Sequence, residues 1–159
     1  RVLFRSENLK HLYGEWVDFQ EVPLIIREFS RQNPDTADFS DFSVITRPVS
    51  HQPESLAYKI SAEGVSLVYS GDTDVDENLV ALASGSDLLI CDSAFPDGSK
   101  VAGHLTPSFA GKMAEEAGVP RLVLTHLYPP CDTANIKSQC QAVYSGEIVL
   151  AQDLLQLKL

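Results

Sequence analysis

Cysteine is scarce and poorly spaced for a framework. Cys91, Cys131 and Cys140 form no C-x-x-C pair, which removes a disulfide scaffold and a zinc finger from consideration. Cys91 closes an apolar run and is expected to be a buried core thiol, and free thiols favour a cytoplasmic location. No apolar run approaches the ~20 residues of a membrane helix, and no secretory signal pattern is visible, so no membrane partner is expected. Positive charge is also short: 12 Lys plus Arg stand against 22 Asp plus Glu. That balance argues against non-specific binding to nucleic acid or membrane surfaces, and it leaves carboxylates available for a cation. There is no G-x-S-x-G elbow for a serine hydrolase and no Walker or G-x-G-x-x-G phosphate loop. Nothing local supports a cysteine nucleophile beside a histidine. No methionine opens the chain. Its first six residues, R-V-L-F-R-S, read as a non-native leader, which places a partial domain over 7–159.

The sequence holds enough apolar residues, 44% of 159, for one domain with a core. Tyr13 to Phe29 reads as one or two strands and Arg31 to Asp41 as a loop. Phe42 to Val49 reads as a strand. Leu56 to Ala62 alternates, with Leu56, Tyr58 and Ile60 expected inward and Ala57, Lys59 and Ser61 outward. Glu63-Gly64 then turns into a second strand, Val65 to Tyr69, making a hairpin. A short helix is expected over Glu77–Ala83 and a buried strand over Asp87–Cys91. Thr106-Pro107 starts a helix that Gly118 stops at Ala117. Arg121–Thr125 reads as a buried strand and Thr133–Val143 as a helix. Glu147–Ala151 with Leu154–Leu157 reads as a closing hairpin. Strands first and strand–helix units afterwards predict an α/β domain with helices on one face of a sheet.

Four acids stand within V-Y-S-G-D-T-D-V-D-E-N: Asp72, Asp74, Asp76 and Glu77. An EF-hand loop counted from Asp72 needs Gly sixth and Glu twelfth, where this chain has Glu77 and Ala83. The calcium reading fails. Asp74, Asp76 and Glu77 are expected to be the acidic first turn of the following helix and solvent-facing charge, which leaves Asp72 to be explained. It follows a buried strand, as do His51 and His126, and His104 directly precedes a helix. Loops at the carboxyl ends of buried strands are where α/β folds place ligand groups. Imidazole and carboxylate together suit zinc, manganese or iron, and one carboxylate can bridge two ions. His11 is given no role.

These stretches, in this order, resemble the C-terminal half of the metallo-β-lactamase superfamily, and within it the ribonuclease Z-like and phosphodiesterase-type hydrolases. V-S-H-Q-P-E-S, S-G-D-T-D and L-T-H-L-Y-P resemble the family's third, fourth and fifth metal motifs. G-H-L-T-P-S-F-A-G resembles the segment that carries a histidine near the scissile phosphate. In D-L-L-I-C-D-S-A-F, Asp92 falls where ribonuclease Z-like members carry a Glu. The likeness covers roughly residues 42 to 159.

The resemblance implies an incomplete αββα sandwich, mainly its C-terminal αβ half. It implies two divalent ions, zinc first with manganese or iron as alternatives, held in part by His51, Asp72 and His126. His104 would stabilise charge on the reacting oxygen, and Asp92 would orient a neighbouring histidine. The implied reaction is attack of a metal-bound hydroxide on a phosphodiester of a small molecule or nucleotide. Two features depart from the family. H-x-H-x-D-H is absent from this sequence, so the chain as it stands is expected to be inactive. Tyr58 to Gly71 has no room for the long tRNA-holding arm, so tRNA is disfavoured. A homodimer is left open. The other readings are hydrolysis of another ester, lactone or sulfate ester, or a non-catalytic binding module of the same fold.

Overall fold

The computed structural model describes residues 27–159. The leader at 1–6, His11 and residues 13–26 of the expected first strands lie outside the described residues, and residues 27–29 are not in a strand. The described strands form one seven-stranded sheet whose spatial order follows the chain: β1 (Asp35–Asp38), β2 (Ser43–Pro48), β3 (Leu56–Ala62), β4 (Val65–Tyr69), β5 (Leu88–Asp92), β6 (Arg121–Thr125) and β7 (Glu147–Leu150). The pairs from β1 to β4 are antiparallel, and those from β4 to β7 are parallel.

A parallel pair needs a crossover, and here each carries a helix: α1 (Glu77–Ala83), α2 (Pro107–Ala117) and α3 (Ile136–Gln141). When each new parallel strand is added on the same side, crossovers of one hand put every helix on the same face. The core lies between that helical layer and the sheet. Leu79 and Leu82 of α1, Met113 and Ala114 of α2, and Cys140 of α3 meet Val68, Leu89, Cys91, Leu122, Leu124 and Ile148 of the sheet. Burying each of the leucines stabilises the fold by roughly 1.5–3 kcal/mol. No helix among the described residues is long and apolar enough to cross a membrane.

The β3–β4 hairpin forms as expected. Ala62 pairs with Val65, so Glu63 and Gly64 alone make the loop, and both have positive φ, 52° and 82°, as the twist-matched two-residue turn requires. Its facing is the reverse of the expectation. Ala57, fully buried, belongs to the core against the helices, and Lys59 on the same face donates from Nζ to Ser84 O at the end of α1 (3.3 Å). Leu56, Tyr58 and Ile60 therefore occupy the opposite face. The small Ala57 side chain lets α1 approach the sheet, and the period of two carries its neighbours away from the helices.

Other differences have local causes. The expected loop at 31–41 contains β1, a strand built on backbone pairing to β2, with Ala37 buried and Asp35 accepting from Ser30 N (3.0 Å). The expected helix over 133–143 is shortened to α3, because Asn135 accepts from Ser138 N (3.2 Å) and so sets its start. Ahead of it, Pro129–Thr133 is a 3-10 turn. The closing hairpin does not form: β7 runs parallel to β6, residues 154–157 are not a strand, and Leu154 is exposed. Thr106 occupies the N-cap of α2 but makes no side-chain cap bond. Asp97 supplies it from the preceding loop, accepting from Ser108 N (3.0 Å) and from the Ser108 hydroxyl.

Candidate metal centre

Strand direction brings the candidate residues together. β2 and β4 are both antiparallel to β3, so they run the same way, and β5 and β6 run parallel to β4. The carboxyl ends of β2, β4, β5 and β6 thus share one edge. His51, Asp72, Asp92 and His126 leave from those four ends, and His104 reaches the same place from the loop ahead of α2.

The turn after β4 is tightly specified. Ser70 is buried; its hydroxyl donates to Gly71 O (2.6 Å) and accepts from Asp92 N (2.9 Å), which joins the ends of β4 and β5. Gly71 has φ +60°, and a Cβ there would lie 3.1 Å from Leu56 O. Only glycine meets both demands at no cost, and the turn then projects Asp72 over the sheet edge.

Asp92 is a fully buried carboxylate with its oxygens occupied. Oδ2 accepts from Thr73 N (3.1 Å) and lies 2.9 Å from His104 Nδ1; Oδ1 accepts from Ala94 N (3.0 Å). A carboxylate accepts, so His104 carries its proton on Nδ1, and its Nε2 lone pair is free. His51 is oriented in the same manner. Its Nδ1 lies 2.9 Å from the carbonyl oxygen of Gly103, leaving Nε2 towards Asp72 Oδ2 at 4.0 Å.

His126 sits at the end of β6 with φ +61°, a left-handed backbone that is uncommon outside glycine and concentrates at functional sites. Its Nδ1 is buried without a hydrogen-bond partner. Yet Asp72 Oδ1 is 3.1 Å away and Asp92 Oδ1 is 3.7 Å away. An unpartnered nitrogen facing two carboxylate oxygens is costly unless a proton or cation joins them. Ligand atoms of Asp72, His104 and His126 all fall within 4.8 Å of one another. That donor set and spacing fit a divalent ion such as zinc.

All five expected residues are therefore at one edge, but not in the expected grouping. His104, expected beside the metal shell, stands within the close group, while His51, expected as a ligand, stands just outside it. The His51 and His104 rings are 4.9 Å apart, centroid to centroid, and the His104 and His126 rings 5.2 Å apart.

Two participants escape the sequence reading. Asp74 is not solvent-facing charge: its Oδ2 accepts from Lys100 Nζ (2.7 Å) and Gly103 N (3.0 Å), and its own N–H donates to Ser50 O (2.8 Å). It therefore ties together the three loops that carry His51, Asp72 and His104. Burial alone would raise its pKa, but the Lys100 hydrogen bond and those from Val75 and Gly103 N–H prevail and hold it below the usual carboxylate range. Asp76, expected in the first turn of the helix, is instead its N-cap, accepting from Asn78 N (2.8 Å). The second is Tyr69, at the end of β4. Its phenol is pushed up by burial and then by the Asp72 and Asp92 charges. No local motif marks either residue; partners 26 and 29 positions away in the chain define Asp74.

A mixed sheet with one helical layer, and a His/Asp cluster at the ends of its parallel strands, is an α/β arrangement of the metallo-β-lactamase fold. The chain belongs to the Beta-lactamase superfamily domain family, whose model matches residues 13–127. It is 35% identical over 109 residues to an uncharacterized protein of Mycobacterium tuberculosis, covering 67% of this chain and 40% of that protein. It is 37% identical over 120 residues to a protein named ribonuclease Z of Streptomyces avermitilis, again covering 67% and 40%. The metallo-β-lactamase fold protein YhfI of Bacillus subtilis superposes with a TM-score of 0.69 at 27% identity, over 78% of this chain and 52% of that one. The chain thus spans about 40% of the length of these two curated relatives.

Proposed function

We propose that this chain contributes to a metal-dependent hydrolase acting on phosphodiesters. The observation that carries the reading is the convergence of Asp72, His104 and His126 within 4.8 Å, around a His126 nitrogen that has no hydrogen-bond partner. Asp72 and His126 would hold metal, and His51, whose Nε2 stands 4.0 Å from Asp72 Oδ2, would be a further ligand. Bound divalent ions, zinc first, would polarise the phosphoryl oxygen and lower the pKa of water. His104, its Nδ1 proton held by Asp92, would present Nε2 to an oxygen of the substrate and stabilise charge or pass a proton there. Asp92 is then a positioning residue, fixing ring orientation and tautomer.

Similarity to a protein named ribonuclease Z supports a phosphodiester. The two-residue β3–β4 turn and the net charge of −10 favour a small-molecule or nucleotide diester over tRNA. Because the sequence holds no H-x-H-x-D-H, the isolated chain should bind metal more readily than it turns over a diester.

Zinc titration of the wild type and of the Asp72→Ala and His126→Ala variants tests the proposal, with bis(p-nitrophenyl) phosphate hydrolysis as a second readout. Zinc retention should fall at least tenfold in both variants. Unchanged zinc content in both would sink the metal reading.

A further inference from the structure

Beside the two histidines of the close group stands an aromatic pair. Phe95, from the loop after β5, and Tyr128, from the loop after β6, stack with ring centroids 5.0 Å apart and planes 11° from parallel. The Tyr128 ring is 5.1 Å from that of His126, and the Phe95 ring is 6.4 Å from that of His104. The pair thus lies against the wall from which both imidazoles project.

Its position is fixed by backbone. Tyr128 N donates to Ala94 O (3.1 Å), which ties the two loops together immediately before Phe95, and Pro129 and Pro130 stiffen the chain after Tyr128. Phe95 is half-buried, whereas Tyr128 remains 42% exposed. Among the described residues nothing hydrogen-bonds to the Tyr128 hydroxyl, so the contacts hold the ring and not its polar tip. The other stacked pair, Phe39 with Phe42, closes the β1–β2 turn and lies on no such edge.

The charge around the site explains what a ring is suited to do there. Asp72, Asp74 and Asp92 make the edge acidic, and Lys100 is already engaged by Asp74. A flat aromatic surface recognises the uncharged part of a diester substrate, because every nucleobase has a π-face and stacking needs no charge. We propose that Tyr128, backed by Phe95, is the stacking platform for the nucleobase of a nucleotide phosphodiester whose phosphate lies at Asp72, His104 and His126. The inference rests on the phosphodiester reading above and narrows its substrate class from diesters in general to those bearing a base.

The test compares AMP with ribose 5-phosphate, which carries the same phosphate without the base, on the zinc-loaded chain. Equilibrium titration of the wild type should give about tenfold tighter binding of AMP. Tyr128→Ala should abolish that preference and Tyr128→Phe should keep it, with ribose 5-phosphate affinity the same in all three. Adenine protons should also shift upfield in the NMR spectrum of the wild-type complex, a readout that needs no variant to fold. If both ligands bind equally and no upfield shift appears, the stacking platform is refuted while the phosphate site stands. If neither ligand binds, the phosphodiester reading fails and takes this inference with it.

Discussion

Replacing Asp74 isolates what its carboxylate does for the three loops it joins. In Asp74→Ala, Gly103 N–H loses a charged acceptor at 3.0 Å and Lys100 loses one at 2.7 Å. A hydrogen bond to a charged group contributes ~1.5–3 kcal/mol, which applies to the half-buried Gly103 arm. The Lys100 arm, with both side chains roughly 30% exposed, is screened and contributes ~0–1 kcal/mol. The loss should therefore be about 1.5–4 kcal/mol of unfolding stability. The larger consequence is positional. Gly103 O fixes His51 Nδ1 at 2.9 Å, and Gly103 itself has φ +85° with no room for a Cβ beside that imidazole. Freed from Asp74, this carbonyl no longer orients His51, and loss of such outer partners weakens metal binding by ~10–100-fold. Asp74→Asn keeps an acceptor for Gly103 N, and Lys100→Ala removes only the screened arm. Both should retain zinc affinity within about threefold. Competition against a chromophoric chelator measures the affinity, and urea unfolding of the metal-free chain measures the stability. If Asp74→Ala binds zinc like the wild type, or if Lys100→Ala is as impaired as Asp74→Ala, the loop-tying argument is wrong.

Two further outcomes concern Asp97 and the three thiols. Burial would raise the Asp97 pKa, but the Ser108 hydroxyl and N–H outweigh it and hold the carboxyl below the usual range. A depressed folded-state pKa stabilises above the ordinary carboxylate range, and that contribution is lost as pH falls through the depressed value. The stability gap between wild type and Asp97→Ala should thus be about 0.5–2 kcal/mol at neutral pH and should shrink in acid; a gap that widens on acidification would contradict the capping role. The thiols should be silent in the native state. Burial pushes Cys91 far up, Cys131 up, and Cys140 up to about 11, with the Asp97 charge adding to the last. Ellman's reagent at pH 8 should titrate none of the three before denaturation and all of them after it; rapid reaction of native Cys91 would refute its core placement.

The core and the close Asp/His group differ in how legible they were. Apolar runs such as L-L-I-C and R-L-V-L-T mark buried parallel strands, and Thr106-Pro107 with Gly118 marks both ends of α2. The strand-end positions of His51, Asp72 and His126 were readable for the same reason: the strands that carry them were. Pairing was less so. β1 exists because β2 offers it backbone partners, and no residue in D-T-A-D announces that. The facing of β3 could not be settled by alternation, since Ala57 and Ile60 are both apolar and only the approach of α1 chooses between them. Grouping at the strand ends was the least legible part. Whether His51 or His104 stands nearest Asp72 and His126 depends on Gly103 and Asp92, contacts between loops far apart in sequence.

The common direction of β2, β4, β5 and β6 has a consequence for assembly. In a zinc finger the ligands are near neighbours, so metal can organise a chain that has no other structure. Here the candidate donors come from separate strands, and their loops meet only once β4, β5 and β6 have paired in the correct register. A slip of one residue along β6 would reverse the facing of the whole strand and carry His126 away from Asp72. Metal uptake during refolding should thus lag behind recovery of the sheet, and the bound ion would serve as a proofreader of strand register.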